Sequence, residues 1–192
     1  MNTPKIVQAS IVDLHKVKGV LTLGFASDAL LRWVFPDPSS YLKSFDIWME
    51  EFSKIAFEND IVYSEKNFYG ASLWHPPGGQ FDSSDLESTF AFIPHDRIEV
   101  VIKFFEEFEK YHPEDAWYLP FIAVDPAKQR QGIGSFLLKE ALQMIDEKND
   151  RAYLEASNEQ NKALYERHGF VEVGRVQFED SPPAFPMIRE PR

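Results

Sequence analysis

Residues 121–135 read Phe-Ile-Ala-Val-Asp-Pro-Ala-Lys-Gln-Arg-Gln-Gly-Ile-Gly-Ser. An apolar strand enters a turn marked by Pro126, passes a Gln-x-x-Gly-x-Gly loop and becomes an amphipathic helix at once. Such a junction aims backbone N–H groups and the positive end of a helix dipole at one point, an arrangement suited to a pyrophosphate. Gly132 and Gly134 lack a Cβ, so the backbone there can approach an anion closely. Other readings share parts of this pattern. A Rossmann dinucleotide loop would have a third glycine where Leu137 stands and would open its domain, with Glu155, about 20 residues on, as the ribose acid. A P-loop needs a Gly-Lys-Ser/Thr run that does not follow. A tight turn with no ligand stays open.

A second constellation runs from Leu154 to Phe170, Leu-Glu-Ala-Ser-Asn-Glu-Gln-Asn-Lys-Ala-Leu-Tyr-Glu-Arg-His-Gly-Phe. Here a strand ends in a helix that Asn158 can cap. Asn158, Asn161 and Tyr165 follow an i, i+3, i+7 spacing and share one helix face. Two amides and a phenol on that face can hydrogen-bond a cofactor arm and reach a reacting sulfur.

The first string resembles motif A, and Leu164-Tyr165-Glu166 with Gly169-Phe170 resembles motif B, of the GNAT superfamily of acetyl-CoA-dependent acyltransferases. The resemblance is strong over residues 115–178. It implies one α/β domain over 1–192, with a central mixed, mostly antiparallel, twisted sheet flanked by helices. It also implies that the amides of Gln129, Arg130, Gln131, Gly132, Ile133, Gly134 and Ser135 hold the pyrophosphate of acetyl-CoA. Ile122, Ala123 and Val124 would pair with the pantetheine arm as with another strand, in a gap where this strand splays from the next. The Ile122 N–H would polarise the thioester carbonyl. Asn158 and Asn161 would lie near the arm, and Tyr165 would protonate the departing thiolate. A phenol with a pKa near 10 is protonated at neutral pH and can donate. Within the superfamily the chain is most similar to the puromycin N-acetyltransferase type, through Phe25, Trp33 and Asp37, Ser72-Leu73-Trp74-His75-Pro76-Pro77, Glu114 to Leu119 and Glu179-Asp180-Ser181-Pro182. That likeness concerns shape, and no residue reads out an aminonucleoside.

An ammonium must lose a proton before its nitrogen attacks. Glu155, alternating with Tyr153 and Ser157 on a strand, and His75, at a strand end, are the candidate bases, with a water relay as the third route. The sequence contains no cysteine, so a cysteinyl acyl-enzyme is excluded and direct transfer in a ternary complex follows. His15, His95, His112 and His168 make no metal-ligand spacing, and no metal is expected. No Gly-x-Ser-x-Gly elbow points to a serine hydrolase. Trp33, Phe35, Trp48, Phe52, Trp74 and Phe81 are candidate walls of an acceptor pocket. Glu106, Glu107 and Glu109 read as a solvated helix face.

These residues need a frame. Lys5 to Ala9 reads as a first strand, and Ser10 as the cap of a helix through Phe25. An aromatic segment from Ala29 to Phe35 stops at Pro36, and Ser39 opens a helix through Ile55. Strands follow at Ile61 to Ser64 and Phe68 to Trp74, turning at Lys66-Asn67. Arg97 to Tyr111 is helical, with Ile98, Val101, Ile102, Phe105 and Phe108 along one face. After the strand to Val124 and the helix from Gly132 to Glu147 come a strand at Ala152 to Ala156 and a helix to His168. Gly169 suits a left-handed stop, and a Pro-interrupted hairpin, Phe170 to Phe178 with Phe185 to Ile188, closes the pattern.

Composition sets the remaining bounds. At 192 residues and 44% hydrophobic, the chain can bury one sizeable core. No apolar run approaches the roughly 20 residues of a membrane span, and the start is no signal peptide, so a soluble cytoplasmic protein is expected, as a monomer or homodimer. The net charge of −11 opposes nucleic-acid binding and suits a small cationic amine drawn in by a negative field. Two other functions fit the same motifs: a non-catalytic coenzyme A-binding module, and a protein N-terminal or lysine acetyltransferase.

Overall fold

The computed structural model describes residues 3–79 and 83–192; Phe81, a candidate pocket wall, lies outside them. In chain order the elements are β1 (Ile6–Gln8), α1 (Leu14–Phe25), α2 (Ala29–Val34), α3 (Pro38–Glu58), β2 (Val62–Glu65), β3 (Gly70–His75), α4 (Ile98–Glu109), β4 (Ala116–Val124), α5 (Ile133–Glu147), β5 (Arg151–Ala156), α6 (Glu159–Arg167), β6 (Val171–Glu172) and β7 (Phe185–Arg189). A 3-10 segment, Ser83–Phe92, precedes α4.

The strands form one seven-stranded sheet in the order β1-β2-β3-β4-β5-β7-β6. Every pairing is antiparallel except β4 with β5. The expected mixed, mostly antiparallel sheet is therefore observed. The closing hairpin has an unexpected placement: β7 inserts between β5 and β6, so the short β6 forms the edge.

Helix α5 packs across β2, β3 and β4 on one face, while α1 and α3 cover β3 and β4 on the other. The six buried side chains of α5 include Ile133, Leu137, Leu138 and Ile145. On the opposite face Phe121 of β4 meets the rings of Phe25, Phe45 and Phe52 edge-on at 5.5, 5.6 and 5.1 Å. Edge-to-face pairs of this kind contribute roughly 0.5–1.5 kcal/mol each beyond area burial. They fix the strand that carries the candidate site.

Three sequence expectations shift. Ser39 does not open α3: Asp37 caps it, accepting from the Ser39 and Ser40 amides at 3.0 and 2.8 Å, with Pro38 at the first helical position. Pro there is pre-set for a helix and lacks only an amide with no intrahelical partner. Ser10 precedes a 3-10 turn, Ile11–Asp13, that leads into α1 rather than capping α1 itself. On α4 the fully buried ring is Phe104, outside the expected stripe. Val101, Ile102, Phe105 and Phe108 line a cavity instead.

Candidate active site

The ladder between β4 and β5 pairs Ala116 with Arg151, Trp117 with Ala152 and Tyr118 with Tyr153, and then ends. Strand β4 runs six residues further and stays paired with β3 as far as Val124. The two parallel strands therefore part beyond Tyr118. Asp125 N–H donates to Tyr69 O at 2.9 Å. Alternation along the strand then turns the peptide groups of Phe121 and Ala123 toward β3, and those of Ile122 and Val124 toward the gap. Ala123 offers the gap neither its peptide nor its methyl, which packs where a Cβ on Gly24 would sit.

The candidate phosphate loop follows directly. Asp125 caps the turn Pro126–Lys128 through the Ala127 amide at 2.8 Å. Arg130 and Gly132 then take left-handed conformations, with φ of 62° and 83°. Gly132 is the N-cap of α5. A non-glycine residue in that region costs roughly 1–2 kcal/mol, so the strain at Arg130 is maintained by the loop around it. Gln129, Arg130, Gln131 and Gly132 are exposed, while Ile133 is buried in the core. The first amides of a helix have no intrahelical acceptor. They adjoin this exposed loop, a local geometry suited to an anion. Ser135 Oγ is bonded to His168 Nε2 at 2.7 Å, which leaves its amide as the group free to face a ligand.

Across the gap, Asn158 caps α6, its side chain accepting from Asn161 N–H at 2.8 Å. Ser157 Oγ donates to Asp28 Oδ2 at 2.6 Å, and Asn161 Nδ2 lies 3.5 Å from the same hydroxyl. Tyr165 is 7% exposed. Burial, and secondarily the Asp28 charge, push its hydroxyl well above the usual phenol pKa. It is therefore fully protonated at neutral pH.

A cavity of about 810 Å³ opens on the other side of Tyr118. Its walls include Trp48, Phe52, Phe90, Phe105, Phe108 and Phe121. Of the sequence candidates, Trp48 and Phe52 line it. Trp33, Phe35 and Trp74 are core residues, and the Trp33 indole donates to Asp180 Oδ1 at 2.9 Å. The cavity carries the carboxylates of Asp28, Glu106, Glu109, Glu114 and Glu155, and among the described residues no Lys or Arg lines it. Glu106 and Glu109, expected on a plain solvated face, thus edge a binding space.

Both candidate bases line this cavity, in unlike states. The Glu155 side chain is 13% exposed. Burial raises its pKa to about 7, against the opposing pull of the Tyr118 and Tyr153 hydroxyls. His75 is 2% exposed. Its Nε2 lies 2.9 Å from the Phe52 carbonyl, an acceptor only, so that nitrogen carries the hydrogen. Burial lowers its pKa to about 4. Sequence reading passed over Asp28, Ser157, Tyr118 and His112. Asp28, directly before an apolar helical run, carried a readable capping signal; the others acquire their places only when β4, β5 and the loop after α4 come together. Among the described residues, no group of His, Asp and Glu could hold a metal, and no helix is long and apolar enough to cross a membrane.

Comparisons with known proteins bear on the domain and the fold. Residues 106–191 match the model of the acetyltransferase (GNAT) domain. A solved structure titled as histone acetyltransferase HPA2 and related acetyltransferase, from Corynebacterium glutamicum, is 27% identical with a TM-score of 0.71, covering 100% of this chain and 98% of that one. Arylalkylamine N-acetyltransferase 2 from Aedes aegypti shares the fold at 11% identity and a TM-score of 0.67, over 100% of both chains. Residues 106–191 thus match a GNAT acetyltransferase domain, and the fold is similar to that of solved acetyltransferase structures. An uncharacterised N-acetyltransferase from Schizosaccharomyces pombe is 28% identical over 148 residues, 68% of this chain. The match spans 60% of that relative's length.

Proposed function

We propose that this protein moves the acetyl group of acetyl-CoA to the primary amine of a small, cationic molecule with an apolar body, by direct attack in a ternary complex. The observation that carries this reading is the gap between β4 and β5. A strand edge with inward-facing peptides leads at one end to the amides before α5, and at the other to an acid-lined, aromatic-walled cavity. In this reading the amides from Gln129 to Ser135 hold the pyrophosphate. Ile122 and Val124 pair with the pantetheine arm, Ala123 supports them from behind, and Asn158 and Asn161 flank the arm. The Ile122 amide polarises the thioester carbonyl. Tyr165 protonates the leaving thiolate.

Glu155 is the base, in preference to His75. Its pKa of about 7 lies about 3 units above the value of about 4 for His75, so taking a proton from an ammonium is less uphill by roughly 4 kcal/mol. Holding amine and thioester together supplies up to roughly 7–11 kcal/mol of the barrier reduction. The lining also bears on the acceptor. Carboxylates without a balancing Lys or Arg favour an ammonium and oppose an acid group on the same molecule. The aromatic rings favour an apolar or aromatic body. The arylalkylamine acceptors in the name of the mosquito enzyme have this chemistry. Puromycin is a second acceptor to try, on the sequence likeness to the puromycin N-acetyltransferase type alone. The net charge of −11 opposes a nucleic-acid partner; in this reading the protein is a cytoplasmic monomer or homodimer acting on small molecules.

The test is acceptor-dependent thiol release from acetyl-CoA with phenethylamine, tryptamine, phenylalanine, tryptophan, spermidine and puromycin. Phenethylamine and tryptamine should release thiol and their carboxylate-bearing counterparts should not. Silence across the panel, with acetyl-CoA binding intact, would favour the non-catalytic coenzyme A-binding module or a protein acceptor.

A further inference from the structure

Net transfer from an ammonium turns RNH3+ and acetyl-CoA into the amide, coenzyme A thiol and one free proton. The proton on the attacking nitrogen of the tetrahedral intermediate replaces the one that Tyr165 gives to sulfur. The proton taken earlier from the ammonium stays on Glu155 and must leave before the next cycle. Glu155 is nearly enclosed, so its route to solvent is a structural question.

We propose that His112 is that route: a relay standing between the Glu155 carboxyl and solvent. The inference rests on the reading of Glu155 as base. His112 lies in the loop after α4, with Nδ1 4.0 Å from Glu155 Oε1. Closing that distance to a hydrogen bond takes a movement of only about 1 Å. Both side chains line the same cavity, Glu155 at 13% exposure and His112 at 39%. The imidazole packs edge-on against two neighbouring rings, 4.6 Å from Tyr118 and 4.9 Å from Tyr153. Those are the two phenols whose hydroxyls act on Glu155.

Other titratable groups face this cluster. Tyr118 comes from β4 and Tyr153 from β5, and Tyr111 acts on Tyr153 from just after α4. The His112 charge is felt at His75, and Asp28, Glu106, Glu109 and Glu114 share the cavity. Burial holds the His112 pKa below the ordinary imidazole value, so a proton received from Glu155 is passed on readily. The steps balance. The Glu155 carboxylate takes the ammonium proton, the O–H bond breaks as His112 Nδ1 binds that proton, and buffer or water takes it from the ring.

The experiment compares the wild type with His112→Phe, which keeps a ring against the tyrosines, and His112→Gln, which keeps a polar side chain. Phenethylamine is the acceptor, in dilute buffer at neutral pH, with and without added imidazole. Both variants should lose about 10- to 100-fold in kcat, within the usual range for a positioned proton-transfer group. KM for phenethylamine should hold, and imidazole should restore most of the rate. Wild-type turnover should not respond to imidazole. Full turnover of the variants in dilute buffer overturns the proposal, as does a loss that imidazole does not restore, since a purely structural role would behave that way. Glu155→Gln is the separate control: if it turns over normally, the base assignment fails, whatever the His112 variants do.

Discussion

Gly134 offers a clean separation of folding from ligand binding. It is the second residue of α5, and a methyl built there would meet Leu164 Cδ2 and Val124 Cγ2 at 3.7 Å, ordinary contact. Its backbone is not left-handed, so an alanine fits without strain. Gly to Ala inside a helix gains up to about 1 kcal/mol, less in the first turn, and such a gain raises Tm by roughly 2–4 °C in a chain this size. Folding alone therefore favours Gly134→Ala. If the pyrophosphate rests on these amides, the added methyl stands between anion and backbone, and acetyl-CoA should bind about tenfold or more weakly, near 1.4 kcal/mol. Gly132→Ala makes the contrast. At φ 83° a Cβ costs roughly 1–2 kcal/mol, so stability and binding should fall together. Thermal melts and isothermal titration with acetyl-CoA read both quantities. A Gly134→Ala protein that is more stable and binds acetyl-CoA unchanged would refute the phosphate-loop assignment.

Tyr165→Phe should lower kcat about 100-fold or more while leaving acetyl-CoA affinity nearly intact, measured by thiol release and titration. The raised pKa of Glu155, about 7 in the fold against 4.5 ordinarily, stabilises the folded state in full below the unfolded value and is lost as pH rises through 7. Glu155→Gln should therefore be the more stable protein at alkaline pH, by about 3 kcal/mol at most, and the gap should close toward pH 4.5 in urea titrations. By the same ionisation, wild-type kcat/KM should rise through about pH 7. Asp146 takes Arg189 with both oxygens at 2.7 Å and the Arg192 amide at 3.0 Å, while Arg189 is 4% exposed. Asp146→Asn should cost about 3–5 kcal/mol. The Arg189 contacts hold the Asp146 pKa down, so its contribution, present above the ordinary carboxylate pKa, should fade as pH falls below it.

What could be read from the sequence was what short-range physics dictates. Gly169 announced the left-handed stop of α6, and Asn158 its start, because a cap and its amide lie within a few residues. Element order was legible for the same reason. The insertion of β7 between β5 and β6 was not, since strand order depends on pairing across about 30 residues. Nor could a stripe on α4 say whether it faced core or cavity: Phe104 and Phe105 are neighbours of one type, and only the packing of Trp33 against Phe104, at 5.3 Å, separates them. His112 shows only the lack of a metal-ligand spacing in sequence; its neighbours in the fold, Tyr118, Tyr153 and Glu155, lie on β4 and β5.

The same division of range runs through the site. The phosphate loop, the strand edge and α6 all lie within residues 106–191, the span matched by the GNAT domain model. Their ligand would be an invariant pyrophosphate and thioester, which backbone amides and a few side chains in fixed local motifs suffice to hold. The cavity walls gather side chains from α2, α3, the Ser83–Phe92 segment, α4, the loop after it and β4. Their job is to fit a variable body, which demands side-chain shape assembled from distant segments. Cofactor chemistry is consequently written in motifs, whereas acceptor choice is written in packing. The two meet at Tyr118, the last residue paired with β5, where the gap begins and where the phenol also bears on Glu155. Under the proposed function, the strand separation that would admit the thioester also sets the proposed base, Glu155, at the wall of the acceptor cavity.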